Sequence, residues 1–170
     1  MRIRDAAEKD LPAILAIYNQ VVADTTAIYE DTPTTPEQRL SWFKARQAAK
    51  FPVLVADIGG EVAGFSSYGD WRARWGYRFT VEHSVHVRQD WRSRGVGKAL
   101  VEALLPYAQA GGVHAMIGAI DAENRSSIRF HERLGFREAG RYPEVAFKFG
   151  RWLDLVTMQR FIDAPGSPRR

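Results

Sequence analysis

A short basic segment with two glycines is the part of this sequence best suited to binding an anion. Between Arg88 and Lys98 there are four basic residues and one acidic residue, so this stretch of eleven residues carries +3 of the net charge of +4. Residues 92–97 fit the pattern R-x-x-G-x-G. The residues before the segment, Phe79 to Val87, predict a strand, and apolar residues recur at helical spacing after it. A glycine turn between a strand and a helix directs backbone N–H groups into one concavity, which is a common way to bind a pyrophosphate.

Two better-known phosphate motifs do not fit this segment. The Rossmann fingerprint needs glycine or alanine at position 100, where this chain has Leu100. A P-loop needs glycine at position 92 and serine or threonine at position 99, where this chain has Arg92 and Ala99. A purely structural turn with solvated arginines stays open as an alternative, since two glycines also suit a tight chain reversal.

Length and composition favour a single globular domain. The chain has 170 residues, is 45% hydrophobic and contains no cysteine, which excludes disulfides, cysteine-based zinc sites and a cysteine nucleophile. No apolar run approaches the ~20 residues of a membrane span, and the first ten residues lack the apolar core of a signal peptide. We therefore expect a cytoplasmic enzyme or binding module, with one domain over residues 1–162 and a disordered tail at 163–170.

The elements around the basic turn follow from hydrophobic periodicity. Strands at 51–57 and 61–70 flank Gly59 and Gly60 and predict a hairpin, because glycine readily adopts positive φ. The whole order is β-α-α-β-β-β-α-β-α-β-β, which predicts an α/β protein with a mixed sheet covered by helices. The other predicted elements are strands at 3–5, 114–120, 135–142 and 152–161, and helices at 8–22, 36–49 and 124–134.

Five segments, in one order along the chain, carry a resemblance to a known family. They are Gly69 to Arg72, Val81 to Val87, the glycine turn, Asn124 to Phe136, and Lys148 to Asp154. From Ile3 to Phe161 the chain resembles the GCN5-related N-acetyltransferases (GNAT), and within them the phosphinothricin and methionine sulfoximine acetyltransferase branch. This resemblance implies the GNAT fold: a central, mostly antiparallel twisted sheet with a parallel pair at the acetyl-CoA site, and helices on both faces.

The resemblance also implies how the co-substrate binds. The turn from Ser93 to Lys98 would hold the pyrophosphate of acetyl-CoA, and the backbone around Val85 and Val87 would pair with the pantetheine arm. Asn124 would bond the pantetheine, although Asn is also a preferred N-cap and both roles are compatible. The predicted acetyl-CoA residues are Val85, His86, Val87, Ser93, Arg94, Gly95, Val96, Gly97, Lys98 and Asn124.

Two side chains are candidates for the proton transfers that acetylation of an amine requires. Glu82 matches the acid that the resembling branch places beside the thioester, and it would act as a base directly or through water. The alternative is a strand-end glutamate that faces solvent or pairs with Arg72 or Arg74. His131 stands where many relatives have a tyrosine that protonates the leaving thiolate, but a buried structural histidine is an equal alternative. Without cysteine, direct attack within a ternary complex is the simpler mechanism.

The loop at 71–77 offers two guanidiniums beside aromatic side chains, which suits a small substrate that carries a carboxylate. A solvated loop, or one that faces nucleic acid, is the alternative. The predicted substrate residues are Arg72, Ala73, Arg74, Glu82, His83 and Ser84, with Tyr29 and Glu30 as weaker candidates.

A metal site is not expected. His83 and His86 are three residues apart, so on a regular strand they face opposite sides of the sheet, and no third ligand lies nearby in the sequence.

Three functions compete at this point. The first is an acetyl-CoA-dependent N-acetyltransferase of small amino-acid-like amines, such as methionine sulfoximine, methionine sulfone or phosphinothricin. The second is a protein or peptide N-acetyltransferase with the same fold. The third is a nucleic-acid-binding module, which a single +3 cluster without a recognition motif supports poorly. Members of the resembling branch are usually homodimers, and the aromatic late strands suit such an interface.

Overall fold

The computed structural model describes residues 1–162, so the tail predicted at 163–170 lies outside the described residues. Within this range the chain forms seven strands and four α-helices in the predicted order. The strands are β1 (Arg2–Asp5), β2 (Val53–Ile58), β3 (Glu61–Asp70), β4 (Thr80–Val87), β5 (Ala115–Asp121), β6 (Arg137–Lys148) and β7 (Arg151–Phe161). The helices are α1 (Leu11–Asp24), α2 (Pro36–Ala48), α3 (Val96–Ala110) and α4 (Arg125–Arg133).

The strands form one mixed sheet in the order β1-β2-β3-β4-β5-β7-β6. The β4–β5 pair is parallel, and every other neighbouring pair of the described sheet is antiparallel. The expected architecture, a mostly antiparallel sheet with a parallel pair and helices on both faces, is confirmed. None of the helices within residues 1–162 is long and apolar enough to cross a bilayer.

Each face of the sheet has its own apolar core. Residues of α1 and α2, including Ile14 and Phe43, pack with Phe65 and its neighbours on one face. Residues of α3, including Leu100 and Leu104, pack on the other face, where the partly buried Ile128 and Phe130 of α4 contact the same cluster. Because side chains alternate along a strand, consecutive residues of β4 face these two layers in turn.

The parallel pair separates partway along its length. β4 and β5 pair at Thr80 with Ala115, Val81 with Met116 and Glu82 with Ile117, and no later residues of the two strands are paired in the described part of the chain. From Gly118 to Asp121, β5 pairs with β7 and with no other strand of the described residues. The remainder of β4, His83 to Val87, therefore borders a gap in the sheet immediately after Glu82.

The sequence prediction for the sixth strand was too short. β6 continues to Lys148 rather than ending at Tyr142, and its pairing with β7 shifts register between Tyr142 and Ala146. Pro143 cannot donate to a ladder and Glu144 has a φ of 50°, so this segment lacks a regular strand pattern. An edge strand tolerates such a bulge, because one of its sides is not paired. Other element boundaries moved by one to three residues without changing the topology.

Candidate active site

The glycine turn opens α3 as the sequence predicted. Gly95 is the N-cap residue, with a φ of 80°, a conformation that costs little only for glycine. No side chain among residues 1–162 caps the first N–H groups of α3, so they are available to an anion at the positive end of the helix dipole. The preceding Ser93 also has positive φ, at 61°. Two residues with positive φ, separated by Arg94, thus shape a concave turn that suits a pyrophosphate.

A cavity of about 610 Å³ extends from this turn along the open edge of β4. Nine of the ten residues predicted to contact acetyl-CoA line it. Arg94 does not, and its guanidinium carbon lies 5.0 Å from the ring centre of Trp91. The lining residues among those predicted are Val85, His86, Val87, Ser93, Gly95, Val96, Gly97, Lys98 and Asn124. Asn124 is also the N-cap of α4, and its Oδ1 accepts from the Ser127 backbone N–H at 3.0 Å.

A second cavity, of about 390 Å³, adjoins the first and shares Val85, His86 and Asn124 with it. Its walls include the predicted residues Glu82, His83, Ser84 and His131, together with Tyr29 from the loop after α1. The two cavities meet where β4 and β5 separate. A long ligand in the first cavity would thus end beside a small ligand in the second.

Glu82 lies at the opening of the sheet with its side chain accessible to solvent. Protein atoms still displace enough water from the carboxyl group to raise its pKa, and the positive charge of Arg46 acts in the opposite direction. Arg46 lies over Gly69, the residue directly opposite Glu82 on β3, since a Cβ at Gly69 would stand 1.8 Å from the Arg46 Nη1 atom. The cation beside Glu82 therefore comes from α2, not from Arg72 or Arg74.

His131 pairs with His83 inside the protein. The Nδ1 atom of His131 lies 2.7 Å from the Ser127 carbonyl oxygen, which can only accept, so this nitrogen carries the proton. In a neutral ring Nε2 is then the acceptor, and the Nε2–H of His83 donates to it at 3.2 Å. Burial lowers the pKa of both rings, that of His83 to about 3. Gly118 permits the pair, because a Cβ there would lie 3.0 Å from His83 Nε2.

The expectation that His83 and His86 face opposite sides is confirmed. His83 contacts His131 and Phe136 on the α3–α4 side, whereas His86 contacts Phe65 and Tyr18 on the α1–α2 side. Among residues 1–162 no group of three or more His, Asp or Glu side chains could hold a metal ion.

The loop with Arg72, Ala73 and Arg74 is exposed, and none of these residues lines either of the two cavities. The Arg72 guanidinium stacks on Trp71 at 4.6 Å from the ring centre. Within a single chain, this loop is therefore not brought to Glu82.

Comparison with known proteins places this geometry in a family. Residues 14–136 match the acetyltransferase (GNAT) family. The chain belongs to the GNAT acetyltransferases. It is an N-acetyltransferase, and acetyl-CoA is the co-substrate of its family. The open edge of β4 and the glycine turn have the shape and backbone donors to accept that molecule.

Relatives and solved structures of this family match almost the whole acetyltransferase. An L-methionine sulfoximine/L-methionine sulfone acetyltransferase of Pseudomonas paraeruginosa is 53% identical over 97% of this chain and 96% of its own. A phosphinothricin N-acetyltransferase of Alcaligenes faecalis is 38% identical, covering 95% and 83%. An acetyltransferase from Salmonella typhimurium, solved with its cofactor acetyl-CoA, superposes with a TM-score of 0.95 at 43% identity, covering 99% of this chain and 98% of its own.

Two arginines at the candidate site were not predicted from the sequence. Arg39 and Arg46 are seven residues apart on α2, so they lie on one face of the helix, and Arg39 lines the smaller cavity while Arg46 approaches Glu82. The sequence signal for them was the presence of arginine at two positions of a helix face that is otherwise apolar, beside Leu40 and Phe43. Charged residues on such a stripe are unusual unless they have a partner.

The loop after α1 that contributes Tyr29 is held by a buried lysine. Lys148 is 1% exposed, and its ammonium group donates to the carbonyls of Val22, Thr25 and Ile28 at 2.7, 2.8 and 2.7 Å. All three of its protons are thus used in fixing the end of α1 and the start of the loop. Lys148 belongs to a segment that carried the family resemblance, but its partners lie more than 100 residues earlier.

Proposed function

We propose that this enzyme transfers the acetyl group of acetyl-CoA to the α-amine of small amino acids of the methionine sulfoximine, methionine sulfone and phosphinothricin type. The observation that carries the proposal is the carboxylate of Glu82, with its raised pKa, in a small cavity at the opening between β4 and β5. The relatives described above act on such amino acids according to their names. They favour this activity over the peptide alternative.

Acetyl-CoA would bind along the larger cavity. The pyrophosphate would accept hydrogen bonds from the uncapped N–H groups that follow Gly95, with Lys98 adding positive charge. The pantetheine arm would lie along Val85 to Val87, where β4 has no partner from β5 among the described residues. The thioester would then reach the gap beside Glu82.

The transfer needs a neutral amine beside the thioester carbonyl. An α-amine with a pKa near 8 is about one-tenth neutral at pH 7, so its deprotonation costs only about 1.4 kcal/mol. Glu82 takes this proton, directly or through a water molecule, as the nitrogen forms a bond to the acetyl carbon. The carbon–sulfur bond then breaks and the thiolate of coenzyme A leaves with the electron pair. No covalent enzyme intermediate is needed.

The hydrogen bonds of His131 favour its structural alternative. Its one N–H points to the Ser127 carbonyl and its free nitrogen accepts from His83, so this tautomer presents no proton to a thiolate. The predicted role of His131 as an acid stays a prediction, as does substrate binding by Arg72, Ala73 and Arg74. His83 and Ser84 line the smaller cavity, which supports their place at the substrate site.

A thiol-release assay tests the proposed function. We would mix the enzyme with acetyl-CoA and compare methionine sulfone, phosphinothricin, ordinary amino acids and a short peptide with a free N-terminus. Faster release with the first two supports the proposal, and preference for the peptide would refute it.

Glu82→Gln should lower kcat by about 10²-fold or more while leaving acetyl-CoA affinity within about twofold. An unchanged kcat would exclude Glu82 as the base.

We also propose that the enzyme is a cytoplasmic homodimer that pairs through the β6–β7 hairpin. The support is a group of exposed apolar side chains on and beside this edge of the sheet, which single folded chains rarely leave open to solvent. They are Tyr142, Val145, Phe147, Phe149 and Trp152. Light scattering should give a mass of two chains, and Trp152→Glu should convert the dimer to monomers. A monomeric wild-type enzyme would contradict this part of the proposal.

A further inference from the structure

Arg39 is a buried cation with no counter-ion among residues 1–162. Its residue is 4% exposed, its Nε atom has no hydrogen-bond partner, and no carboxylate oxygen of the described residues lies within 4 Å of its nitrogens. The guanidinium carbon lies 4.0 Å from the ring centre of Tyr18 and 4.7 Å from that of Trp42. Arg39 thus sits between two aromatic rings at the wall of the smaller cavity.

Aromatic stacking alone does not account for this placement. Burial lowers the pKa of Arg39, with only Tyr18 acting against it, yet arginine keeps its proton in proteins and so cannot escape the cost by becoming neutral. The free energy that cation–π contacts contribute is smaller than the free energy that desolvation of a full charge costs. A ligand with oxygen acceptors would supply the hydrogen bonds and the negative charge that the buried guanidinium lacks.

The position of Arg39 relative to Glu82 limits which ligand group this is. Arg46, which approaches Glu82, lies two helical turns from Arg39, or roughly 10 Å along α2. On β4 the ring that contacts Tyr18, next to Arg39, is His86, which lies four residues from Glu82, or roughly 13 Å. Arg39 and Glu82 are therefore at opposite ends of one cavity.

An α-carboxylate does not span this distance, because its oxygens lie within roughly 4 Å of the amine and hydrogen bonds at both ends extend the reach only to roughly 9 Å. The oxygens of a phosphinate or sulfone at the end of a methionine-like side chain do span the distance from Glu82 to Arg39. An extended side chain of this kind places phosphorus or sulfur roughly 5 Å from the amine, and hydrogen bonds at both ends extend the reach to roughly 12 Å. We propose that Arg39 binds the oxygens on the distal phosphorus or sulfur of the acceptor while its amine lies at Glu82. This inference rests on the proposed function and names the residue that selects oxidised side chains.

The test compares three acceptors that differ at the distal group: phosphinothricin, methionine sulfone and methionine. Wild-type enzyme should favour the first two, which carry oxygens, over the thioether. Arg39→Met should lower kcat/KM for phosphinothricin by about 30- to 100-fold and change that for methionine by no more than about threefold. Arg39→Lys, which keeps the charge without the planar fork, should recover part of the activity with the phosphinate. Lys44→Met, on the exposed side of the same helix, is the matched control and should leave all three rates unchanged.

The outcomes separate two failures. If wild-type enzyme acetylates none of the three acceptors, the proposed function itself is wrong. If it acetylates them but Arg39→Met lowers all three rates equally, Arg39 has a structural role and this inference is overturned. Loss of the preference in Arg72→Met, with Arg39→Met retaining it, would also overturn the inference. Thermal melting checks that each variant folds. If Arg39→Met does not fold, the acceptor preference of Arg39→Lys decides whether Arg39 binds the distal oxygens.

Discussion

Replacing Lys148 with methionine tests whether a buried ammonium group fixes the loop of the acceptor site. The side chains are similar in length, so the change removes three charge-assisted hydrogen bonds of 2.7–2.8 Å without leaving a large cavity. Leaving a buried carbonyl without its donor destabilises the fold by about 1–3 kcal/mol for each carbonyl. Part of this loss is offset, because methionine carries no charge that folding must desolvate. We expect the free energy of unfolding to fall by about 3 kcal/mol.

Urea denaturation measures this change directly, with Lys44→Met as the control, since Lys44 is exposed and its loss should cost less than about 0.5 kcal/mol. Hydrogen exchange should show faster opening of residues 25–30 in Lys148→Met than in the control. The acceptor KM should rise as well, because Ile28 and Tyr29 line the smaller cavity, which we propose holds the acceptor. A loss of less than about 1 kcal/mol, or loop exchange that does not differ from the control, would refute this role of Lys148.

Further expectations follow from the charges and backbone conformations of the site. Arg46→Gln should move the acid limb of the kcat/KM profile to higher pH, because removing a nearby cation raises the pKa of Glu82 further; a shift to lower pH would contradict this. Gly95→Val should weaken acetyl-CoA binding about tenfold in calorimetry, since a β-branched residue is strained at a φ of 80°; unchanged affinity would count against the turn as the pyrophosphate site. Burial lowers the pKa of His83 to about 3 and that of His86 to about 4. The unfolded chain therefore takes up these protons first as the pH falls below 6.5, and each histidine should reduce stability at pH 5 by about 2 kcal/mol, measured by urea denaturation against pH 8.

The sequence by itself determined the features that depend on neighbouring residues. Gly95, between a strand and a helix, specifies the turn locally, because its positive φ and an uncapped helix start need no distant partner. The alternation along β4 likewise placed His83 and His86 on opposite faces. A family pattern of five segments then indicated the fold and the acetyl donor. At the irregular bulge in β6 the local sequence pattern predicted the end of the strand too early.

Tertiary structure decided what lies opposite each of these residues. Periodicity shows that Arg39 and Arg46 share the inner face of α2, but not that Arg46 lies near Glu82 while Arg39 lies between the rings of Tyr18 and Trp42. It does not show that His131 meets His83 across 48 residues, or that Lys148 reaches carbonyls more than 100 residues away. The physical reason is that burial, and hence the cost of a charge or the tautomer of a ring, depends on atoms that only the packed chain brings together.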